Sequence, residues 1–587
     1  MMKVIHHIYV LAPALLLVLS CGKTPEAGTP VPQENISRVE QMASFPEPYK
    51  MLDWKRKARN FDAYAFDFNS KLPAGPVIWI DNAQRNFPQP TFGLYTAMAD
   101  DRQGPQRNNG EFHESLNTLH ALLSAGLLGI DKTSSPEGYN YVKMVQNYFN
   151  RENGWNIVMN NTCPDVALLG GGYGRDWWYD VYPNLLYYAV SELFPGVEGA
   201  DDIMHTVAEQ FAKADETLDG NYDFSYFDYS KMQGMNNWIP KQQDAAGGHG
   251  WVLLAAYRKF GDKRYLERAK SAIAALDSQT ESRFYEILLP MGIYTAARLN
   301  AEYGCSYDLA KMFSWVFDGC TNPVASRTGW GITAGKWGDY EISGLQGSLA
   351  DGGGFAFLMN SIDVAWPFVP VAKYQPQYAR AIGKWMLNLA NNCRLFFPDQ
   401  LPDGNQCLPG RQDYTDCIVG YEGLRFENVL GETNEKYAEG PAKGVHPVAL
   451  GDGPLWYPTN PKESMFSLYS TSACGILGAI VSTTDVEGIL RLDCNATDFY
   501  ASKPYPVSLI YNPFDGRRSV KYETASEEKK DIFDIISKTY LAKGVSGSAK
   551  VSVEADAAVL AVELPAGSRI VEENGLLKVD NNIISYR

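Results

Sequence analysis

Paired amphipathic segments between residues 114 and 392 are the feature that most limits the folds open to this chain. Apolar residues recur there at i, i+3, i+4 and i+7, the spacing of a helix with one buried face. The predicted pairs are 114–128 with 139–149, 176–194 with 200–218, 244–260 with 263–276, 284–303 with 307–317, and 354–371 with 376–392. Hairpins in series, each followed by a Gly- or Asp-rich loop, predict an inner and an outer ring of helices.

The pattern changes towards the C-terminus. A sixth hairpin is not clear and could come from residues 51–60 or 414–429. Near residue 464 the period becomes alternating, and turn signals such as Asn512-Pro513 follow. The predicted strands are 465–469, 488–492, 507–511, 550–553, 558–563 and 568–571. We therefore expect a mainly α fold that ends in an antiparallel β-sandwich.

The N-terminus has the pattern of an export signal. Residues 8–19 form an apolar stretch that is shorter than the roughly 20 residues a membrane-spanning helix needs. It ends in Leu17-Val18-Leu19-Ser20-Cys21, which resembles a bacterial lipobox and predicts lipidation of Cys21. The alternative is an ordinary secretory signal. We expect a protein of the bacterial cell envelope, attached to a membrane only through its lipid anchor and facing the periplasm or the outer surface.

These patterns divide the chain into five parts. They are a signal peptide at 1–20, a lipidated tether at 21–51, a mixed segment at 52–110, a helical catalytic domain at 111–460 and a C-terminal β-sandwich at 461–587.

Composition limits the partners. The formal net charge of −16 disfavours nucleic acid, which needs a basic surface. The 13 Trp, 35 Tyr and 26 Phe suit sugar binding, because an aromatic ring can stack on a sugar, although most of these rings fill the core. No CxxC pair is present and histidines are few, so we expect neither a zinc site nor a cofactor.

Three stretches resemble the (α/α)-toroid carbohydrate-active proteins, which are the six-hairpin glycosidases and related polysaccharide lyases. They are 251–257 with 261–266, then 482–500 with 505–513 and 557–567, and the loop 171–180, which is also similar to glucuronidase-like members. The resemblance covers most of residues 110–587. It implies an (α/α)6-type toroid of helical hairpins with a C-terminal sandwich, and its motifs are structural rather than catalytic.

The loop 170–180 is the densest polar stretch. Its glycines allow close backbone approach to a ligand, and Arg175 could bind a carboxylate through two hydrogen bonds. Asp176 and Asp180 lie four residues apart on one face of a starting helix, although Asp176 could simply cap that helix. The other predicted substrate-binding residues of this loop are Tyr173, Trp177 and Trp178.

A second stretch, 236–249, contains Trp238 and Lys241 as predicted substrate contacts. Asp244 precedes a helix whose first turns are small residues, which leaves room for a ligand. Asp244 could be a general acid or base assisted by His249, or an N-cap beside a core histidine.

Two further sets complete the candidates. The loop 330–355 holds Trp337, Glu341 and Asp351, and either acid could be the second carboxylate. Arg411 and Arg425 lie among aromatic residues and could bind a uronate or sulfate group, or form exposed ion pairs.

The predicted function is hydrolysis of a glycosidic bond by two carboxyl groups in an oligosaccharide, with uronic acid as a possible component. The predicted catalytic residues are Asp176, Asp180, Asp244 and Glu341. The resemblance implies an inverting mechanism. A polysaccharide lyase that uses His249 or a tyrosine as base and an inert glycan-binding lipoprotein remain the alternatives. The sequence indicates neither the sugar nor the oligomeric state.

Overall fold

The computed structural model describes residues 29–100, 107–165, 176–237, 239–320, 330–348, 354–426, 445–451 and 460–586. Several predicted features lie outside these ranges, namely the signal peptide, Cys21, Tyr173, Arg175, Trp238 and Asp351. Within the described ranges, no helix combines the length and the apolar character that a membrane crossing requires.

The described helices confirm most of the predicted hairpins. They are α1 Ser37–Glu40, α2 Trp54–Ala65, α3 Ser115–Leu127, α4 Tyr141–Met144, α5 Trp177–Leu193, α6 Ala200–Leu218, α7 Ala245–Phe260, α8 Lys263–Asp277, α9 Leu288–Tyr303, α10 Leu309–Phe317, α11 Leu358–Asp363, α12 Ala365–Tyr374, α13 Ala379–Asn392, α14 Gln412–Thr415, α15 Leu468–Thr471 and α16 Cys474–Ile480. The prediction for 139–149 is only partly confirmed, because a 3₁₀ turn, Val145–Tyr148, follows the short α4.

Six helices contact one another in a closed cycle. Helix α3 contacts α5, α5 contacts α7, α7 contacts α9, α9 contacts α12, α12 contacts α16, and α16 returns to α3. Glycines permit the closest of these approaches, since a Cβ added to Gly247 of α7 would lie 2.8 Å from the Cα of Gly292 in α9. Helices α5, α7 and α9 are buried over most of their length, as helices enclosed by others must be.

The sixth pair consists of α2 and α16. A Cβ on Gly478 of α16 would lie 3.2 Å from the carbonyl oxygen of Trp54, so the two helices touch at this glycine. The strand predicted at 465–469 is wrong. Residues 468–471 form α15, which starts where the Ser467 side chain accepts a hydrogen bond from the Ser470 amide at 3.1 Å. Short apolar runs do not distinguish a buried helix from a strand.

A five-stranded antiparallel sheet lies in the chain between α10 and α15. Its strand order is β11-β10-β9-β8-β5, where β5 is Trp330–Ile332, β8 is Gln346–Ser348, β9 is Phe355–Phe357, β10 is Gly423–Arg425 and β11 is Val448–Leu450. Because residues 355–357 pair with β8 and β10, the helix predicted from 354 begins only at Leu358. At residues 355–357, strand pairing therefore outweighs the helical spacing of the apolar residues.

The other described strands complete the sheets. They are β1 Ile78–Asp81, β2 Thr91–Leu94, β3 Tyr226–Asp228, β4 Gln233–Met235, β6 Lys336–Trp337, β7 Tyr340–Glu341, β12 Val481–Thr483, β13 Leu490–Asp493, β14 Val507–Asn512, β15 Arg518–Glu523, β16 Lys530–Asp534, β17 Thr539–Val545, β18 Ser548–Val553, β19 Ala557–Pro565, β20 Val571–Glu573, β21 Leu576–Val579 and β22 Asn582–Ser585. The predicted strand at 568–571 is mostly wrong, since only residue 571 lies in a strand.

The C-terminal sheet has two buried faces. Its order is β12-β13-β14-β19-β16-β17, and a separate two-stranded sheet of β15 and β18 packs on one face. Leu509 of β14 faces the main core, whereas Ile510 packs with Val520 and Val551 of the two-stranded sheet. Strand β14 therefore has no alternation of polar and apolar residues, as expected for a strand covered on both faces.

A buried charge network ties this C-terminal region to the helices. Asp498, between β13 and β14, binds the ammonium of Lys373 at 2.5 Å and accepts hydrogen bonds from Tyr294 and Tyr374 at 2.6 and 2.9 Å. Burial alone would raise the pKa of Asp498, but Lys373 and Arg298 together with these hydrogen bonds hold it below the usual value. The carboxylate is thus charged and compensated.

We expect Lys373→Met to destabilise the protein by about 3–5 kcal/mol, because it leaves a buried carboxylate without its partner. Urea unfolding would measure the loss. The matched control is Lys503→Met, which removes a partly exposed pair with Glu192 at 3.3 Å and should cost at most about 1 kcal/mol. Equal losses in the two variants would contradict a structural role for the network.

Candidate functional site

A carboxyl residue lies just before each of four consecutive helices of the cycle. Glu114, Asp176 and Asp244 immediately precede α3, α5 and α7, and Glu286 lies two residues before α9. Helix N-termini carry a partial positive charge that favours carboxylates. Tyr285, next to Glu286, donates its amide to Asp244 at 3.1 Å, and the charges of Asp176 and Asp244 act on Glu286, so these three acids lie close together.

Asp176 caps helix α5. Its carboxylate accepts a hydrogen bond from the amide of Tyr179 at 3.1 Å, and only 3% of the residue is exposed. Burial raises the pKa of Asp176 to about 7, although hydrogen bonds from Tyr179, Gln242 and Trp178 favour the charged form. The same Gln242 accepts a hydrogen bond from the Trp178 amide at 3.1 Å, which fixes the start of the helix.

Asp244 lies at the start of the next helix, α7. Its side chain is 1% exposed and accepts a hydrogen bond from the Tyr285 amide at 3.1 Å. Burial raises the pKa of Asp244 to about 8, and the neighbouring charge of Asp176 adds to the effect.

Glu286 is the half-buried member of the group and the one with access to solvent. Its Oε2 accepts a hydrogen bond from the side-chain amide of Asn360, and its carbonyl oxygen accepts one from the side-chain amide of Gln346. Burial, followed by the charges of Asp176 and Asp244, raises the pKa of Glu286 well above its usual value. We call Asp176, Asp244 and Glu286 the acid cluster.

Aromatic rings lie beside the acid cluster. Tyr285 contacts Trp330 of β5 edge to face at 5.8 Å, and Trp330 stacks on Phe357 with ring centroids 5.3 Å apart. Burial raises the pKa values of Tyr179 and Tyr469 well above the usual range, and nearby acids including Glu286 raise them further. Both phenols are therefore neutral hydrogen-bonding groups at physiological pH.

A histidine–aspartate pair lies behind Glu286. His120 Nε2 is 3.1 Å from Asp363 Oδ1 and 3.2 Å from the hydroxyl of Tyr182, and all three residues are fully buried. The charge of Asp363 also contributes to the raised pKa of Glu286. The pair belongs to the electrostatic environment of the acid cluster.

The four predicted catalytic acids have different surroundings. The structure brings Asp176 and Asp244 together, whereas Asp180 is buried one turn into α5, where its charge acts on Tyr229. Glu341 lies in the β6–β7 hairpin and accepts hydrogen bonds from the amide and hydroxyl of Ser343. We therefore leave Asp180 and Glu341 out of the proposed catalytic set.

His249 lies in the aromatic core. Its Nε2 is 2.8 Å from the hydroxyl of Tyr229, and the rings of Phe211 and Trp177 enclose it at 4.4 and 5.5 Å. Burial lowers the pKa of His249 to about 3. We assign it no substrate contact, because it is fully buried and its hydrogen bonds are made within the core.

The predicted tryptophans are mainly packing residues. Trp177 is fully buried and donates to the carbonyl of Phe224 at 2.9 Å, and Trp178 stacks on Tyr182 at 4.5 Å. Trp337 is half-buried in the β6–β7 hairpin, where its ring lies 6.0 Å from that of Phe426.

The predicted cations have local partners. Lys241 pairs with Asp223 at 2.7 Å, and Arg411 pairs with Glu463 at 3.5 Å. Arg425 is buried in β10, where its guanidinium lies 4.0 Å from the centre of the Phe355 ring. Each of these three cations thus has a partner outside the acid cluster.

Sequence reasoning missed Glu286 because the helical period begins at 284, which placed this residue inside a helix. One signal was present. Glu114, Asp176 and Asp244 each stand directly before a helix of the cycle. The next helix of the cycle, α9, has Glu286 two residues before it.

No group of three or more His, Cys, Asp or Glu side chains in the described ranges is arranged to hold a metal ion. The cysteines of those ranges are free thiols.

Neither a protein-family model nor a curated protein matches this sequence. Several solved structures do. A GH127 β-L-arabinofuranosidase from Geobacillus stearothermophilus T6 is 12% identical over 91% of this chain and 85% of that chain, with a TM-score of 0.38. A family 76 glycoside hydrolase from a bovine Bacteroides thetaiotaomicron strain is 8% identical over 73% and 77%, with a TM-score of 0.37. A polysaccharide lyase is 11% identical over 63% and 90%, with a TM-score of 0.24. At TM-scores this low, the likeness establishes neither a shared fold nor a shared activity.

The raised pKa of Asp244 predicts that stability falls with pH. An unfolded aspartate loses its proton near pH 4, whereas folded Asp244 keeps it to about pH 8. Between these values the folded state binds more protons, so the free energy of unfolding decreases as pH rises. We expect Asp244→Asn to gain stability relative to the unmodified protein between about pH 5 and pH 8, as measured by thermal unfolding.

The control for this prediction is Asp308→Asn, which changes an exposed cap of the outer helix α10. The effect of Asp308→Asn on stability should be nearly the same at about pH 5 and at about pH 8. If Asp244→Asn behaves in the same way as the control, Asp244 is not protonated in the folded protein.

Proposed function

We propose that this protein hydrolyses a glycosidic bond, with Glu286 as the general acid and Asp176 as the second carboxyl group. The observation that carries the proposal is Glu286 itself, a half-buried carboxyl group whose pKa is raised well above its usual value by burial and by the charges of Asp176 and Asp244 beside it. Cleavage needs one protonated carboxyl group for the leaving oxygen and one carboxylate on the other side of the sugar.

Asp176 fits the second role because it caps helix α5 and receives hydrogen bonds that favour its charged form. Three hydrogen bonds favour its charged form, and its charge in turn raises the pKa values of Asp244 and Glu286. We assign Asp244 no direct role in the cleavage step, because its carboxyl group keeps its proton to about pH 8. We further propose that the cycle of six helices is the inner ring of an (α/α)6 toroid, with the acid cluster at its mouth.

Lyase chemistry is less well supported by the same residues. It needs a base that takes a proton next to a carboxylate. His249 is buried with a pKa of about 3, and the phenols of Tyr179 and Tyr469 hold their protons well above the usual range. The described acid cluster also repels an anionic ligand, so we propose a neutral oligosaccharide in preference to a uronic-acid-containing one.

The test is to incubate residues 22–587 with a panel of neutral and uronate-containing oligosaccharides. New reducing ends and the ultraviolet absorbance of unsaturated uronates are both recorded. We expect reducing ends without absorbance. Glu286→Gln and Asp176→Asn should each lower kcat by about 10²–10⁴-fold, because each removes one acid–base group.

Two features keep this result interpretable. Asparagine caps a helix as well as aspartate does, so Asp176→Asn preserves the start of α5. Asp308→Asn makes the same change at the cap of an outer helix and should leave kcat unchanged. Ultraviolet absorbance from an unsaturated product, or full activity of Glu286→Gln, would contradict the proposal.

The anomer of the first product decides between two forms of the mechanism. We propose that Asp176 activates water and that the configuration inverts. Proton NMR of fresh product would then show the inverted anomer, whereas a retained anomer would indicate that a carboxylate attacks the sugar directly.

We also propose that the protein is anchored in the bacterial envelope through lipid on Cys21. Cys21→Ser should abolish incorporation of labelled fatty acid and move the protein from the membrane to the soluble fraction, because stable attachment needs the acyl chains. Cys163→Ser, which removes a cysteine elsewhere in the chain, is the control. Membrane attachment that survives Cys21→Ser would contradict the anchor.

A further inference from the structure

Glu286 has a backbone conformation that a glutamate rarely adopts. Its φ is +58°, in the left-handed region, where a side chain other than glycine is strained. Such strain persists only where the surroundings fix it, and it concentrates at functional sites. The helical period of the sequence runs through 284–286, so the relaxed alternative is an N-terminal extension of α9.

Two side-chain amides hold this conformation. Gln346 of β8 is fully buried, and its Nε2 donates a hydrogen bond to the carbonyl oxygen of Glu286. Asn360 of α11 is 1% exposed, and its Nδ2 donates to Oε2 of the same residue. One amide therefore fixes the backbone of Glu286, and the other fixes its carboxyl group.

The two amides are themselves joined. The backbone amide of Gln346 donates to the hydroxyl of Ser361 at 2.9 Å, and Ser361 follows Asn360 in α11. Tyr285, the residue before Glu286, donates its amide to Asp244 at 3.1 Å. The position of Glu286 is thus set by contacts from the five-stranded sheet on one side and from the acid cluster on the other.

We propose that Gln346 and Asn360 are positioning residues: Gln346 holds the backbone of Glu286 in the left-handed conformation, and Asn360 holds its carboxyl group in the acid cluster. This deepens the proposed function and rests on it for the activity measurements. Without Gln346, residues 284–286 join α9 and carry the carboxyl group away from Asp176. Without Asn360, the backbone stays but the carboxyl group loses the donor that favours its charged form.

The experiment compares Gln346→Ala and Asn360→Ala with matched controls. Gln406→Ala and Asn388→Ala remove buried amides of the same types, which donate to Pro398 and Leu401 and to Ala43 and Lys384 respectively. The measurements are kcat and KM across pH, melting temperature, and the φ angle of residue 286 in crystal structures of each variant.

For Gln346→Ala we expect kcat to fall about 10–100-fold with little change in KM, because the reacting group is misplaced. Residue 286 should move to a helical φ. For Asn360→Ala we expect the alkaline limb of the activity profile to shift upward by about half a pH unit or more, since a hydrogen bond to the charged form is lost. The controls should lower the melting temperature without either change.

The outcomes separate the two proposals. The positioning role is overturned by two results together. The first is that residue 286 of Gln346→Ala keeps its left-handed φ while kcat stays within twofold of the unmodified protein. The second is that the alkaline limb of the activity profile of Asn360→Ala does not shift. If the unmodified protein cleaves no glycan, the proposed function fails, and the φ angle of residue 286 in Gln346→Ala still decides whether Gln346 holds the conformation.

Discussion

Removal of water from carboxyl groups is the interaction on which the proposed site depends. An aspartate at a helix N-terminus is ordinarily charged and exposed, because the helix dipole and the free amides favour its anion. Here the closed cycle of helices buries Asp176 and Asp244 almost completely, and the cost of an uncompensated charge exceeds what the helix ends supply. Burial thereby raises the pKa values of two ordinary helix-start acids to neutrality and above it.

The five-stranded sheet adds what the helices cannot provide. Helix ends place Asp176 and Asp244 by simple continuation of the chain, but Glu286 lies before its helix in a conformation that the local sequence does not favour. The amides that bind it come from β8 and α11, which are far from Glu286 in sequence. The position of Glu286 therefore depends on tertiary contacts, whereas Asp176 and Asp244 are placed by the starts of their own helices.

This difference explains how much the sequence predicted. Helical periodicity located α5, α6, α7 and α8 to within about one residue, because each of these helices is long enough, at 15 to 19 residues, for the spacing of its apolar residues to be recognised. It also indicated Asp176 and Asp244 as helix-start acids. Helical periodicity failed at α16, which is buried on all sides, and at β9, which is held by strand pairing. It also failed at Glu286, which is held by distant amides. Burial and pairing across the chain leave no local period.

The electrostatics of the acid cluster also bear on what it can bind. Three neighbouring acids in a low-dielectric site cannot all ionise, so successive protons are held more tightly, and the group titrates as a unit. The acid cluster therefore resists full ionisation, and the rings of Tyr285 and Trp330 lie beside it. A neutral sugar offers hydroxyl groups to the former and an apolar face to the latter. A uronate would add an anion to a site that already resists a second charge, and would have to bring its own counter-charge or be bound by residues away from the acid cluster.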